Sequence, residues 1–115
     1  MKELKFRFWD NTDRKFIDDP VIDKNGRVGY FTGTTIEWCS DVTPQQYTDC
    51  IDKNDKEIYE GDIIKYTNLG MISNGSIRFY AGGFFVEWED QTDDMVGYLL
   101  TSEIEVVGNI FENKK

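Results

Sequence analysis

Five carboxylates fall within eleven residues of this chain: Asp52, Asp55, Glu57, Glu60 and Asp62. Acids this close could bind a calcium ion, or they could divide the work of general acid and general base, as in glycoside cleavage. The run Asp52-Lys53-Asn54-Asp55 opens as a calcium loop does. Such a loop needs Asp or Asn at its fifth position, Gly at its sixth and Glu at its twelfth. Those places hold Lys56, Glu57 and Ile63, so an EF-type site is excluded. Glu60 and Asp62 bracket Gly61, and in a short turn carboxylates act more often as solvated charges or backbone N–H caps than as catalysts.

The rest of the inventory is no richer in chemistry. The chain has no histidine, which removes the commonest general base, most nucleophilic triads and histidine metal sites. Cys39 and Cys50 form no CxxC pair and have no adjacent cation or helix start to lower a thiol pKa. They read as small half-buried side chains, reduced in a cytoplasmic protein, with nothing requiring a disulfide. Trp9, Tyr30, Trp38 and Tyr80 could form a stacking platform for single-stranded nucleic acid, but that needs a basic groove. Packing in a core or subunit interface suits them better. No catalytic residue, cofactor or metal is expected.

The elements that must position these residues are strands. Asp52-Lys53-Asn54-Asp55 is turn chemistry, Glu60-Gly61-Asp62 is a second tight turn, and Ile63-Ile64-Lys65-Tyr66 is β-branched and aromatic. Leu4 to Trp9 alternates, predicting a strand with Leu4, Phe6 and Phe8 inward and Lys5, Arg7 and Trp9 outward. Asn25-Gly26 predicts a hairpin joining Val21-Ile22 to Val28–Phe31. Thr34–Cys39 is another strand, and Pro44–Tyr47 runs extended toward the first of the two turns. Asn68 to Gly75 reads as a loop. Ser76–Tyr80 and Phe84–Glu89 read as a hairpin about Ala81-Gly82-Gly83, with Ile77, Phe79, Phe84, Val86 and Trp88 inward. An acidic loop follows at Asp90–Asp94, then a short strand Gly97–Leu100 and a closing strand Ile104–Phe111 in which Gly108 marks a bulge. The tail from Asn113 to Lys115 is expected to fray. No segment sustains a helical period.

Eight or more short strands with Gly, Asn and Asp turns predict an all-β protein. With 115 residues, 15% of them aromatic, the chain can bury roughly 65% of its unfolded surface and needs no staples. Net charge is −9, with eight bases against eleven acids in residues 1–55 and five against eleven in residues 56–115. That balance opposes phosphate binding, which depends on clustered Lys and Arg. Lys2, Lys5, Arg7, Arg14 and Lys15 are the one local basic group. Asp90-Gln91-Thr92-Asp93-Asp94 with Glu87 and Glu89 could instead present carboxylates to a basic partner. No long apolar run suggests a membrane span.

Three separated stretches resemble the YopX family of phage and prophage proteins. Leu4-Lys5-Phe6-Arg7-Phe8-Trp9-Asp10 is similar to the family's opening K-F-R-x-W-D. Gln46-Tyr47-Thr48, Asp52-Lys53-Asn54 and Glu57-Ile58-Tyr59-Glu60-Gly61-Asp62-Ile63 are similar to its central Q-Y-T-G-L-x-D-K-N-G-x-x-I-Y-E-G-D-I. Gly108-Asn109-Ile110-Phe111-Glu112-Asn113 is similar to its terminal G-N-I-Y-E-N. Asp49-Cys50 stand where the family has Gly-Leu, and Asp55 where it has Gly. The resemblance implies a mainly β protein, with an irregular N-terminal β segment over residues 1–55 packed on an SH3-like barrel over residues 56–115. It marks Trp9, Asp10, Tyr47, Asp52, Asn54, Ile58, Tyr59, Gly61, Asp62, Gly108 and Asn109 as motif residues and brings no activity. The expected role is that of a non-enzymatic accessory protein binding a protein partner or a second copy of itself. A nucleic-acid-associated role in phage DNA metabolism and acidic mimicry of nucleic acid are the alternatives.

Overall fold

Turn chemistry and β-branched runs place twelve strands and two short 3-10 turns in the computed structural model, which describes residues 5–90, 92–99 and 101–112. The strands are β1 (Phe6–Asp10), β2 (Lys15–Phe16), β3 (Val21–Ile22), β4 (Val28–Phe31), β5 (Ile36–Trp38), β6 (Val42–Ile51), β7 (Glu57–Tyr59), β8 (Asp62–Asn68), β9 (Met71–Tyr80), β10 (Gly83–Trp88), β11 (Asp93–Met95) and β12 (Ile104–Asn109). The 3-10 turns, Val96–Tyr98 and Thr101–Glu103, lie between β11 and β12. The protein is mainly β. It divides into two compact units, one of Phe6–Gln45 and the other of Lys5 with the chain from Gln46 onward.

In the N-terminal unit, β1 and β2 form a hairpin, and β3, β4 and β5 form a separate antiparallel sheet. The Asn25-Gly26 hairpin is present, with Gly26 at φ +85°. The alternation predicted for the first strand does not hold: Arg7 and Phe8 are both half-buried, and Asp10 is buried as well as Trp9. Trp9 is buried and Phe6 exposed, while Leu4 lies outside the described residues. The reason is amphipathic: Arg7, on the same face as Trp9, lays its guanidinium 4.4 Å from the centre of the Phe16 ring. Trp9 meets that ring edge-on at 4.9 Å. Both faces are covered at the end of the strand, and simple alternation misassigns Trp9.

The second unit is a five-stranded antiparallel sheet in the order β11-β10-β9-β8-β12. With 3-10 turns before the last strand, this order is compatible with an SH3-like barrel. Ile58, Ile64, Ile77, Val86 and Ile104 are wholly out of solvent and form its core with Trp88, Val96 and Val106. Gly108 does sit at a bulge, where the register of β12 against β8 shifts between Val106 and Gly108. Three expectations need correction. The presumed loop over residues 68–75 is the tip of a long hairpin: Leu69-Gly70 turns, and β9 already pairs from Met71. Asp93 and Asp94 of the expected acidic loop, with Met95, add an edge strand to β10. Residues 97–99 lie in and beyond a 3-10 turn instead of a strand; Leu100 and the tail 113–115 are outside the described residues.

Phe79 also falls short of its assignment. It keeps the inward parity of Ile77, but lies near the hairpin end beyond the core, half exposed against Phe84.

Candidate functional site

The five clustered carboxylates divide by what their oxygens face. Asp52 is buried, with Oδ1 accepting from the N–H groups of Asn54 (2.8 Å) and Lys56 (2.9 Å) and Oδ2 from that of Val106 (2.9 Å). Lys53 N–H donates to the Ile104 carbonyl at 2.9 Å. The turn therefore satisfies an outward-facing donor and acceptor of β12, an edge strand of the five-stranded sheet. Burial disfavours ionisation of Asp52, but the N–H donors of Val106, Lys56 and Asn54 outweigh it and hold the carboxyl below its usual range. Both oxygens are spent on backbone, so the turn offers no cation site.

Asp62 is buried as well. Its Oδ2 accepts from Tyr59 N–H at 2.8 Å, and its Oδ1 accepts from Asn109 Nδ2 at 3.4 Å. Asn109 Oδ1 in turn accepts from Phe111 N–H at 2.9 Å. Gly61, at φ +89°, donates to the Ile77 carbonyl and accepts from Ile110 N–H. The central and terminal motifs thus meet in one polar network about the start of β8 and the end of β12. Ile58 fills the core between them, and Tyr47 and Tyr59 pack at 5.4 Å between ring centres. Glu57 takes the Lys5 ammonium, which outweighs its burial and, with the Tyr59 hydroxyl, keeps its carboxyl below the usual range. In the N-terminal unit Asp10 is buried and caps Thr12 and Asp13 N–H groups, at 2.9 and 3.2 Å. Burial, and then the neighbouring Asp10, push the Cys39 thiol up, away from nucleophilic use.

The departures from the family pattern have a backbone explanation. Asp49 lies at φ +70° and Asp55 at φ +64°, the left-handed region where the family places glycine. Asp is among the few residues that occupy it at moderate cost.

A groove of about 840 Å³ opens in the second unit, beside the β8–β9 hairpin. The rings of Tyr66 and Trp88 line it, 6.0 Å apart between centres, with Leu99 alongside. Its hairpin wall carries Leu69, Met71 and Ile72, which are 96%, 71% and 62% exposed. Its lining also carries Glu89, Asp90 and Asp94, and no basic side chain is among its described lining residues. Asp94 accepts from the Trp88 indole N–H at 2.7 Å. The Thr92 hydroxyl and N–H hold the Asp90 carboxyl below the usual range, so it is ionised at neutral pH. This arrangement can bind apolar and cationic groups together; it assembles no acid–base pair or nucleophile. Sequence reasoning missed the hairpin wall because it took residues 68–75 for a loop. The available signal was three large apolar residues around Gly70, out of place in a solvated loop.

The other acidic candidates are individually tied. Glu87 pairs with Arg78 at 3.3 Å and Asp93 accepts from the Tyr80 hydroxyl, while Gln91 lies outside the described residues. The four aromatic residues considered as a platform are differently employed: Trp9 is buried, Tyr30 lines a cavity of the N-terminal unit, Trp38 lies under the Arg27 guanidinium, and Tyr80 stacks on Phe85. A second cavity, of about 530 Å³ in the N-terminal unit, is lined by Phe16, Ile17, Tyr30 and Phe31 with Lys15, Asp18 and Asp19. None of the described helices is long and apolar enough to cross a membrane.

A mainly β protein whose motif residues brace a five-stranded sheet defines the class, and comparison with known proteins gives it a family. A family model described as YopX protein matches residues 5–115, and the chain belongs to that family. The solved structure of protein yopX from Bacillus subtilis is similar at a TM-score of 0.70 and 21% identity, covering 100% of this chain and 98% of that one. Protein EF1440 from Enterococcus faecalis is similar at 0.67 and 25% identity, with the same coverage. No curated protein sequence matches the chain.

Proposed function

We propose that this protein is a non-enzymatic interaction module of a phage or prophage, working in the bacterial cytoplasm and binding a protein partner at the groove beside the β8–β9 hairpin. The observation that carries this reading is the hairpin tip itself. Leu69, Met71 and Ile72 contribute large apolar side chains to solvent, next to ringed and carboxylate-bearing walls. Large apolar side chains clustered in solvent at one hairpin tip mark interaction sites. The carboxylates of the sequence motif support the same reading from the other side, because those of Asp52 and Asp62 are turned onto backbone donors, away from any reactant.

The nucleic-acid alternative loses support at its basic residues. Lys5 is paired with Glu57, and Arg7 donates to Gln45 and lies on Phe16. Affinity capture from prophage-bearing cells tests the main reading. A partner recovered by the native chain and lost by a Leu69→Ser/Ile72→Ser variant is the expected result. No recovered partner, together with a monomer by light scattering, would sink it. A mobility shift with a steep salt slope would favour the nucleic-acid alternative instead.

A further inference from the structure

The β8–β9 hairpin turns through Leu69 at φ +52° and Gly70 at φ +80°. A two-residue turn with positive φ at both positions favours Asn, Asp or Gly at the first, and a leucine there is strained. Leu69 also has nearly all of its side chain in water. Nothing in the folding of this hairpin explains its presence: the backbone would prefer another residue, and the side chain packs on nothing that hides it. Strain kept at a solvent-facing position points to a use in binding.

The groove next to it indicates what would be bound. Its lining holds three carboxylates, those of Glu89, Asp90 and Asp94, and no described base. It also presents the half-buried Tyr66 ring, whose face attracts cations, backed by the buried Trp88. Apolar side chains, an aromatic ring and carboxylates in one groove together complement a segment in which Lys or Arg stands beside large apolar side chains. Resting on the interaction-module reading above, we infer that the groove takes a cationic, amphipathic segment of a partner protein, with Leu69, Met71 and Ile72 gripping its apolar residues. Its cations pair with Glu89, Asp90 and Asp94 beside the Tyr66 ring. The segment's charge opposes that of the whole chain, so encounter is steered as well as held.

The test uses the full chain and a labelled twelve-residue peptide of alternating arginine and leucine, followed by fluorescence anisotropy. Companion peptides alternate arginine with serine and glutamate with leucine. The arginine–leucine peptide should bind, the arginine–serine peptide at least tenfold more weakly, and the glutamate–leucine peptide not at all. Leu69→Asn should melt at a higher temperature than the native chain, because Asn suits the turn, and yet bind the arginine–leucine peptide at least fivefold more weakly. Glu89→Gln/Asp90→Asn should weaken it similarly, with a reduced salt dependence. Equal affinity for the native chain and both variants would overturn the inference, since the peptide would then be reading net charge alone. Absence of binding would overturn it too. A dimer in light scattering that Leu69→Asn dissolves would assign the groove to a second copy, defeating the cationic segment while leaving the interaction module intact.

Discussion

Asp52 connects two stretches of chain more than fifty residues apart through one carboxylate, and its removal should be costly for that reason. Asp52→Ala leaves the buried Val106 N–H without its acceptor and opens the turn at Asn54 and Lys56. A loss of about 2–3 kcal/mol is expected in denaturant titration. The pH dependence follows from the depressed carboxyl. Because the folded group titrates below the unfolded value of about 3.9, its contribution is complete above that pH and disappears as pH falls toward the folded pKa. Glu57 acts in the same direction. The melting temperature should therefore drop on acidification below about pH 4, and less steeply in Asp52→Asn than in the native chain. Backbone strain gives a second, opposite pair of outcomes. Gly61→Val places a β-branched residue at φ +89° and should cost about 1–3 kcal/mol. Asp55→Gly relieves φ +64° and should leave stability unchanged or raise it by a few tenths of a kcal/mol, both read from the same titrations.

At the scale of elements, close packing between β9 and β10 depends on a missing side chain. A Cβ on Gly75 would stand 2.7 Å from the Glu87 carbonyl oxygen and from Val86 Cγ1, and 3.0 Å from the Trp88 ring. Gly75→Ala should therefore destabilise by about 1–3 kcal/mol and alter the near-ultraviolet circular dichroism of the tryptophans. An unchanged spectrum and melting point would refute this packing. The same glycine explains a misreading. Asn74-Gly75 carries the pattern of a turn, yet here the glycine lets Trp88 lie over the strand, and β9 runs through it. Local pattern showed the strands, the Asn25-Gly26 hairpin, the Gly61 turn and the Gly108 bulge, because each depends on neighbouring residues. It could not show that Trp9 is buried, since its partner Phe16 stands on the next strand, or that Asp52 reaches β12, since that contact spans 54 residues. The groove was illegible for the same reason: Trp88 and Tyr66 face one another only after three strands have paired.

In the whole molecule, holding the fold falls to residues other than those exposed at the hairpin tip. The family motif holds: Asp52, Gly61, Asp62 and Asn109 are engaged with backbone at the edges of the five-stranded sheet. In the function proposed above, binding falls instead to the hairpin tip, where Leu69, Met71 and Ile72 stand largely in solvent. The most direct measurement compares two variants side by side for melting temperature and for capture of partner from prophage-bearing cells. Asp52→Asn should lower the melting temperature and, assayed well below it, recover the partner at the native yield. Leu69→Ser/Ile72→Ser should melt no lower than the native chain and recover none. Native-level recovery by the hairpin variant, or loss of recovery by a folded Asp52→Asn, would contradict the account.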